Sequence, residues 1–185
     1  MRSKRKILDA TLGLIAESGF EGVTIAAVAR AAGVTRQTVY SIFTTREDVI
    51  SEAMVGLIVE VLGGIREKAD QAETPTEFIV ETFVAARNLI RREPVLNSLL
   101  RSGNANPLFD ADMMDRALPV VRQFLDGYVE HNPGFDSRQF DGIDGVIVRV
   151  GLSVILFDDP SIHEDDGLRH YLERWLIPVL PFARP

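Results

Sequence analysis

Apolar residues recur at intervals of three and four positions along nearly the whole chain. This spacing places them on one face of an α-helix, whose turn takes about 3.6 residues. No segment shows the strict alternation of apolar and polar residues, bounded by turn residues, that is typical of a strand. The sequence therefore predicts an all-α fold.

Capping residues and glycines mark where the helices start and stop. Gly19 and Gly33 predict the ends of two helices, and Thr24 and Thr35 predict the starts of two short ones. Thr45, followed three residues later by an aspartate, resembles a capping box that opens a longer helix. The predicted helices cover about residues 3–18, 24–32, 36–43, 45–69, 75–92, 95–101, 111–131, 137–157 and 165–180.

The chain of 185 residues contains no cysteine. This excludes disulfides, thiolate nucleophiles and thiolate zinc sites, and it is compatible with a reducing compartment. The basic N-terminus leads into an amphipathic pattern, whereas a signal peptide would show a compact apolar core. No uninterrupted run of about 18 apolar residues follows. We therefore expect a cytoplasmic protein without a membrane span.

Charge is distributed unevenly along the chain. The formal net charge of −7 by itself disfavours a nucleic-acid partner, because binding phosphates requires cations. Residues 1–50, however, hold seven Lys or Arg against five Asp or Glu, a net +2, which leaves −9 for the rest. This asymmetry is typical of a nucleic-acid-binding head on an acidic body.

The second and third predicted helices are short and joined by a tight turn at Gly33. In DNA-binding proteins a pair of this kind places its second helix in the major groove. Helix pairs of this geometry also occur in proteins that do not bind DNA. The polar character of the second helix favours DNA binding, since it offers Thr35, Arg36, Gln37, Thr38 and Tyr40.

About residues 5–50 resemble the DNA-binding domain of the TetR family. The resemblance rests on the order and spacing of Ile7 to Ala10, Gly19-Phe20, Thr24, Val28-Ala29, Ala32-Gly33-Val34-Thr35, Tyr40, Phe43 and Arg46-Glu47. The family's signature of Tyr, two residues, Phe, two residues and a cation is present, with arginine where lysine is usual. Arginine keeps the charge but presents a planar fork, so the geometry of its contact with DNA is expected to differ.

The resemblance implies an N-terminal three-helix helix-turn-helix head joined by a long helix to a C-terminal helical domain for effector binding and dimerisation. The head is expected to cover residues 1–46 and the second domain residues 47–185. The family's habit implies a repressor that binds a palindromic operator in double-stranded DNA as a homodimer and responds to a ligand. The alternative is a DNA-bound scaffold that recruits a protein partner without a small-molecule effector.

The chemistry of the side chains suggests their roles on DNA. Gln37 can pair with adenine, and Arg36 with guanine or a phosphate, so these two are the expected base readers. The basic N-terminal segment either follows the DNA backbone or forms a solvated, mobile terminus. Thr38 lies on the same predicted recognition helix and is also expected to be a DNA-binding residue. Phosphate contacts are expected from Thr24, Thr35, Tyr40 and Arg46, although Thr24 and Tyr40 have a purely structural alternative.

Two apolar faces near the C-terminus predict the dimer interface. Paired with their symmetry mates, they would give a four-helix interface about a two-fold axis. The alternative is that they form the core of a single subunit. The predicted interface residues are Ile143, Val146, Ile147, Val150, Val154, Leu168, Leu172 and Trp175.

The middle helices carry aromatic, methionine and arginine side chains that predict a cavity for a small apolar effector. Such residues at helical spacing also occur as plain core. The predicted lining consists of Phe78, Phe83, Arg87, Phe109, Met113, Met114, Phe124 and Tyr128.

Sequence motifs of enzymes are missing. Ser153 lies mid-helix and lacks the second glycine of a nucleophile elbow. His131, His163 and His170 form no metal-binding motif, and no glycine-rich phosphate loop occurs. We therefore predict a protein that is not an enzyme and that holds neither a metal nor a cofactor.

Overall fold

The computed structural model describes residues 2–101, 112–132, 142–157 and 159–180. These residues form helices and connecting turns, with no strand among them, which confirms the predicted all-α class. None of the described helices is long and apolar enough to cross a membrane. The helices are α1 (Arg2–Ser18), α2 (Ile25–Ala32), α3 (Arg36–Tyr40), α4 (Arg46–Ala69), α5 (Pro75–Arg92), α6 (Pro94–Arg101), α7 (Met113–His131), α8 (Asp144–Leu156) and α9 (Asp165–Trp175), with short 3-10 turns at Phe20–Gly22 and Ile177–Val179.

Most predicted helix bounds agree with the structure within two residues, and two differ for local reasons. Helix α3 ends at Tyr40, because Ile42 N–H donates to the carbonyl of Val39 three residues back and tightens the turn. Helix α9 ends at Trp175, short of Pro178, which lacks the N–H that a helix interior requires. Helix α8 starts at Asp144, whereas its predicted start at 137 lies outside the described residues.

The chain forms two compact units, of which the first comprises Met1–Val61 and Glu93–Arg101. Helices α2 and α6 both pack against α1. Unit 1 surrounds a core of Ile7, Ile15, Val23, Val28, Ala29, Ala32, Val39, Phe43, Val49, Leu57 and Val95. This core fixes the orientation of the helix pair α2 and α3.

The second unit comprises Leu62–Arg92 and Ser102–Pro185. Helix α5 lies at its centre and packs against both α8 and α9, while α7 packs against α8. The units thus divide within α4 and not after residue 46, because Val49 and Leu57 of α4 are buried in the first core. A functional division between residues 46 and 47 stays a prediction.

The predicted dimer interface requires a correction. Five of its members are buried within unit 2 because α8 and α9 turn these side chains toward α5: Ile143, Ile147, Val154, Leu168 and Leu172. Val150 is half-buried and packs on the same core. Side chains covered by their own chain are out of reach of a second copy. Among the predicted interface residues, Val146 and Trp175 are exposed, by 38% and 63%.

Candidate DNA interface

Local caps fix the start and the end of α2. Thr24 precedes the helix in extended backbone, and its Oγ1 accepts a hydrogen bond from Ala27 N–H at 3.1 Å. Gly33 ends the helix in the left-handed region, with φ 66° and ψ 36°. A residue with a Cβ atom is strained there by about 1–2 kcal/mol. The glycine therefore supplies the sharp turn into α3 that the sequence predicts.

Helix α3 has an inward and an outward side. Thr35 caps its start, since its Oγ1 accepts from Thr38 N–H at 3.0 Å and lies 2.8 Å from Thr38 Oγ1. Val39 is fully buried in the core of unit 1. The hydroxyls of Thr35 and Thr38 thus bond within the helix start, and Val39 holds the helix against the core of unit 1.

The outward side of α3 carries the predicted base readers. Arg36 and Gln37 are exposed, and Tyr40 follows one turn later with 58% of its surface accessible. A ring so exposed contributes little to the core, so a purely structural role fits Tyr40 poorly. Within one helical turn the surface therefore offers a guanidinium, an amide and a phenol, which are groups that bind base edges and phosphates.

The sequence predicts that Arg46 contacts a phosphate of DNA. In the structure its side chain instead turns inward, toward the protein backbone. Its Nε donates to the carbonyl of Val23, and its Nη2 donates to the carbonyl of Phe20. Its Nη1 lies 3.0 Å from a carboxylate oxygen of Glu47. The planar fork thereby links the start of α4 to the segment immediately before Thr24. Phosphate binding by Arg46 stays a prediction, and the contacts favour a positioning role.

The start of α4 has its own cap. Thr45 N–H donates to Asp48 at 2.8 Å, and Asp48 N–H donates to Thr45 Oγ1 at 3.0 Å, which is the predicted capping box. A backbone N–H and the Arg46 side chain hold the pKa of Glu47 below its usual range. Negative charge at this position is stabilised by the positive end of the helix dipole.

The N-terminal cations are helical from Arg2 onward. Lys4 pairs with Glu52 and lies 5.8 Å from the centre of the Phe43 ring. Arg5 approaches Asp9 at 3.9 Å. Arg2 and Lys6 are exposed.

The described residues bring no three His, Asp or Glu side chains together as a metal site would need.

Comparison with known proteins identifies this helix pair. Residues 7–53 match the profile of the bacterial regulatory proteins of the tetR family, and the match contains α2, α3 and the start of α4. Residues 7–53 therefore form a DNA-binding domain of the TetR-family type.

Two relatives of the chain are uncharacterized HTH-type transcriptional regulators of Mycobacterium tuberculosis. Each is 28% identical over 97 residues, which are 52% of this chain and 49% of the relative. The matched segment thus spans about half the length of these curated relatives.

Solved structures share the fold over nearly the whole chain. The TetR-family repressor AlkX from Dietzia sp., implicated in biodegradation of n-alkanes, superposes with a TM-score of 0.61 at 22% identity, over 96% of both chains. The fatty acid degradation regulator FadR from Bacillus halodurans gives 0.57 at 20% identity, over 94% of this chain and 96% of that one. At these identities the likeness concerns the fold.

The second unit contains a cavity of about 150 Å³. Helix α4 ends on one side of it, and α5, α7 and α8 supply the remaining walls. Its lining is Leu62, Ile65, Ile79, Thr82, Phe83, Ala86, Val120, Val121, Phe124, Leu125 and Ile147.

The lining differs from the predicted one. Phe83 and Phe124 lie on its wall, as the sequence suggests. Phe78 and Tyr128 instead stack on each other within the core, with ring centres 3.9 Å apart. Burial of Tyr128 raises the pKa of its phenol, and Asp70 and Glu77 add to the shift.

The other predicted lining residues lie elsewhere. Met113 and Met114 are half-buried on α7 but are not part of the wall, and Phe109 lies outside the described residues. Arg87 is almost fully buried and pairs with Asp165 at 2.7 Å. The sequence missed the aliphatic wall, because leucine, isoleucine and valine at helical spacing look alike whether they face a cavity or a filled core.

Proposed function

We propose that the chain is a ligand-responsive repressor that binds a palindromic operator as a homodimer. The observation that carries DNA recognition is the outward side of α3, where Arg36, Gln37 and Tyr40 stand exposed above the buried Val39. Two such helices about 34–36 Å apart would enter adjacent major grooves of one face of DNA. Such DNA lies in the bacterial cytoplasm, which is the proposed place of action, and no catalysis is involved.

Exposed apolar side chains in unit 2 support the dimer. Val146 lies on α8, and Tyr171 and Trp175 lie one turn apart on α9, followed by Val179. Their exposed fractions are 38%, 41%, 63% and 68%. Burying large apolar groups of this kind against a second copy is favourable by about 25 cal/mol per Å². This exposed set replaces the buried residues of the sequence-based interface.

Helix α4 provides a route from the ligand to DNA. It starts at Arg46, which binds the segment before Thr24, and it ends in unit 2, where Leu62 and Ile65 line the cavity. A ligand that favours one position of this helix would change the spacing of the recognition helices. Differential affinity of about 1–3 kcal/mol would change operator binding roughly 5–150-fold.

One observation favours the scaffold alternative. Val55, Ile58 and Val59 of α4 are exposed by 56%, 44% and 64% and recur at helical spacing in unit 1. An exposed apolar stripe is a typical contact surface for another protein. If no small molecule changes operator affinity and a protein partner binds this stripe, the chain is a DNA-bound scaffold and not a ligand-responsive repressor.

Selection of bound DNA from a random pool tests DNA recognition directly. The proposal expects enrichment of an inverted repeat whose half-sites are separated by one helical turn or a multiple of it. The matched control is the double variant Arg36→Ala and Gln37→Ala, which removes the two base readers and leaves the buried face of α3 intact. Failure of the natural chain to enrich any sequence contradicts the proposal, as does enrichment of the same repeat by the double variant.

A further inference from the structure

The wall of the cavity in unit 2 consists of carbon surface. Among its lining side chains, Thr82 is the one with a polar atom, and its hydroxyl donates to the carbonyl of Phe78 at 2.7 Å. The remaining lining residues are aliphatic or phenylalanine. The described wall therefore has no charged group and no uncommitted hydrogen-bond donor to offer a ligand.

Three arginines directly follow lining residues in the chain, namely Arg66, Arg87 and Arg122, and each is already engaged. Arg122 pairs with Asp144. Arg66 lies over the Phe124 ring at 5.4 Å, donates to the carbonyl of Phe124 at 2.8 Å and pairs with Asp70 at 2.7 Å. Arg87 follows the lining residue Ala86 but pairs with Asp165. A carboxylate entering the cavity would lose its hydration and gain no charged partner, which is strongly unfavourable.

The dimensions of the cavity limit what fits. Its volume is about 150 Å³. Its wall includes three buried side chains, Ile79, Phe83 and Leu125, which are 1%, 3% and 4% exposed, and one exposed side chain, Val120, at 39%. Dry apolar cavities of about this volume, lined by Leu, Ile and Phe, bind benzene. A larger ligand would need its additional atoms outside.

We propose that this cavity binds an uncharged hydrocarbon group the size of one aromatic ring or of a chain of about six carbons, and that it rejects carboxylates. The inference rests on the proposed ligand-responsive function and deepens it by naming the effector's chemical class. Affinity comes from burying methylene and ring carbons, each buried methylene being worth about fourfold in affinity. Selectivity against anions comes from the absence of a compensating charge on the described wall.

Toluene and benzoate form a matched pair of probes, because a methyl group and a carboxylate occupy the same position on the same ring. Titration of the full chain by calorimetry is expected to give saturable binding of one toluene per chain. Benzoate is expected to bind at least tenfold more weakly, which corresponds to about 1.4 kcal/mol. Benzoate binding as tight as that of toluene overturns the inference, and so does the absence of saturable toluene binding.

Variants that fill the cavity locate the binding. Thr82→Leu and Ala86→Leu enlarge two half-buried wall positions of α5, and each is expected to weaken toluene binding more than tenfold. Thr76→Leu is the matched control, because it makes the same substitution at a half-buried position of the same helix that does not line the cavity. Melting curves identify which filled variant is folded. Unchanged toluene affinity in a folded filled variant overturns the assignment.

Operator titrations with and without toluene separate this inference from the proposed function. If toluene binds and operator affinity is unchanged, the ligand class is supported and ligand-responsive repression fails. If benzoate instead lowers operator affinity and toluene does not bind, the chain responds to ligands but the assigned ligand class is wrong.

Discussion

Arg87 on α5 donates from Nη2 to Oδ1 of Asp165 on α9 at 2.7 Å, although 78 residues separate them in the chain. The Arg87 side chain is 2% exposed, and that of Asp165 is 42% exposed. Nη1 of Arg87 donates to the carbonyl of Ile162, and the Asn88 amide donates to both carboxylate oxygens at 2.9 Å. The cluster ties α5 to the start of α9, so a structural role replaces the predicted ligand contact of Arg87.

Replacing the acid of this pair tests that role. Asp165→Asn is expected to lower the free energy of unfolding by about 2–3 kcal/mol, because it leaves the buried Arg87 without a counter-charge. The figure is below the usual range of about 3–5 kcal/mol because solvent screens the partly exposed carboxylate. Asp166→Asn is the matched control, since that neighbouring side chain is 98% exposed. Urea unfolding that shows equal losses for both variants contradicts the prediction.

Acid is expected to remove the same contribution. Burial opposes ionisation of Asp165, but the hydrogen bonds from Asn88 and Arg87 outweigh it and hold its pKa below the usual value. A lowered folded pKa means that the pair stabilises the fold above the unfolded pKa of about 3.9 and ceases to do so as pH falls through the folded pKa. The stability difference between the natural chain and Asp165→Asn is therefore expected to be constant from about pH 5 to 7 and to shrink below about pH 4. A difference that disappears by pH 6 in urea unfolding contradicts this assignment.

The head was predictable from the sequence because its determinants are local. Thr24 and Thr35 bond to N–H groups three residues ahead, and Gly33 acts through its own backbone angles. Such signals depend on neighbours in the sequence and hardly on the rest of the fold. Arg46 is the exception, since its acceptors, Phe20 and Val23, lie 26 and 23 residues upstream.

The helices of the second unit were predictable from the sequence, but which of their side chains are buried and which are exposed was not. Ile143 at the N-cap of α8 and Val146 in its first turn belong to the same apolar run of the sequence, yet the first is 3% exposed and the second 38%. Which of the two is covered by its own chain depends on where α5 packs, and helical periodicity gives no information on that. For the same reason the aliphatic cavity wall was missed, while the buried pair of Arg87 was mistaken for a ligand contact.

Arg46 is expected to behave as a positioning residue. Arg46→Ala removes its bonds to Phe20 and Val23 and is expected to cost about 2–3 kcal/mol of stability and to weaken all DNA sequences alike. Arg46→Lys keeps the charge but loses the fork, so its stability is expected to lie nearer to the alanine variant. The dependence of operator affinity on salt distinguishes the roles. If Arg46 contacts a phosphate, its loss reduces the slope of the logarithm of operator affinity against the logarithm of salt concentration by about 0.9 for each DNA-binding head. If Arg46 only positions the helices, its loss leaves this slope unchanged.

Gln37 is expected to read one base pair in each half-site. Gln37→Ala is expected to relax discrimination at that position by about 1–3 kcal/mol while other positions keep theirs. Gln71→Ala is the matched control, because it removes the same exposed side chain in the second unit. Binding isotherms on single-base operator variants measure the effect. If Gln37→Ala lowers affinity for every variant equally, Gln37 is not a base reader.

Trp175 and Val146 are expected to lie in the interface between two copies. Both are exposed apolar residues of the second unit, and an ionised carboxylate placed in a dry interface is strongly unfavourable. Light scattering is therefore expected to give twice the chain mass of 20.5 kDa for the natural protein, and the single-chain mass for Trp175→Glu and Val146→Glu. Val55→Glu is the matched control, because this valine of α4 is 56% exposed and lies outside the proposed interface. A natural chain that is monomeric at micromolar concentration contradicts the dimer. Dissociation by Val55→Glu, with the other two variants still dimeric, would move the interface to α4.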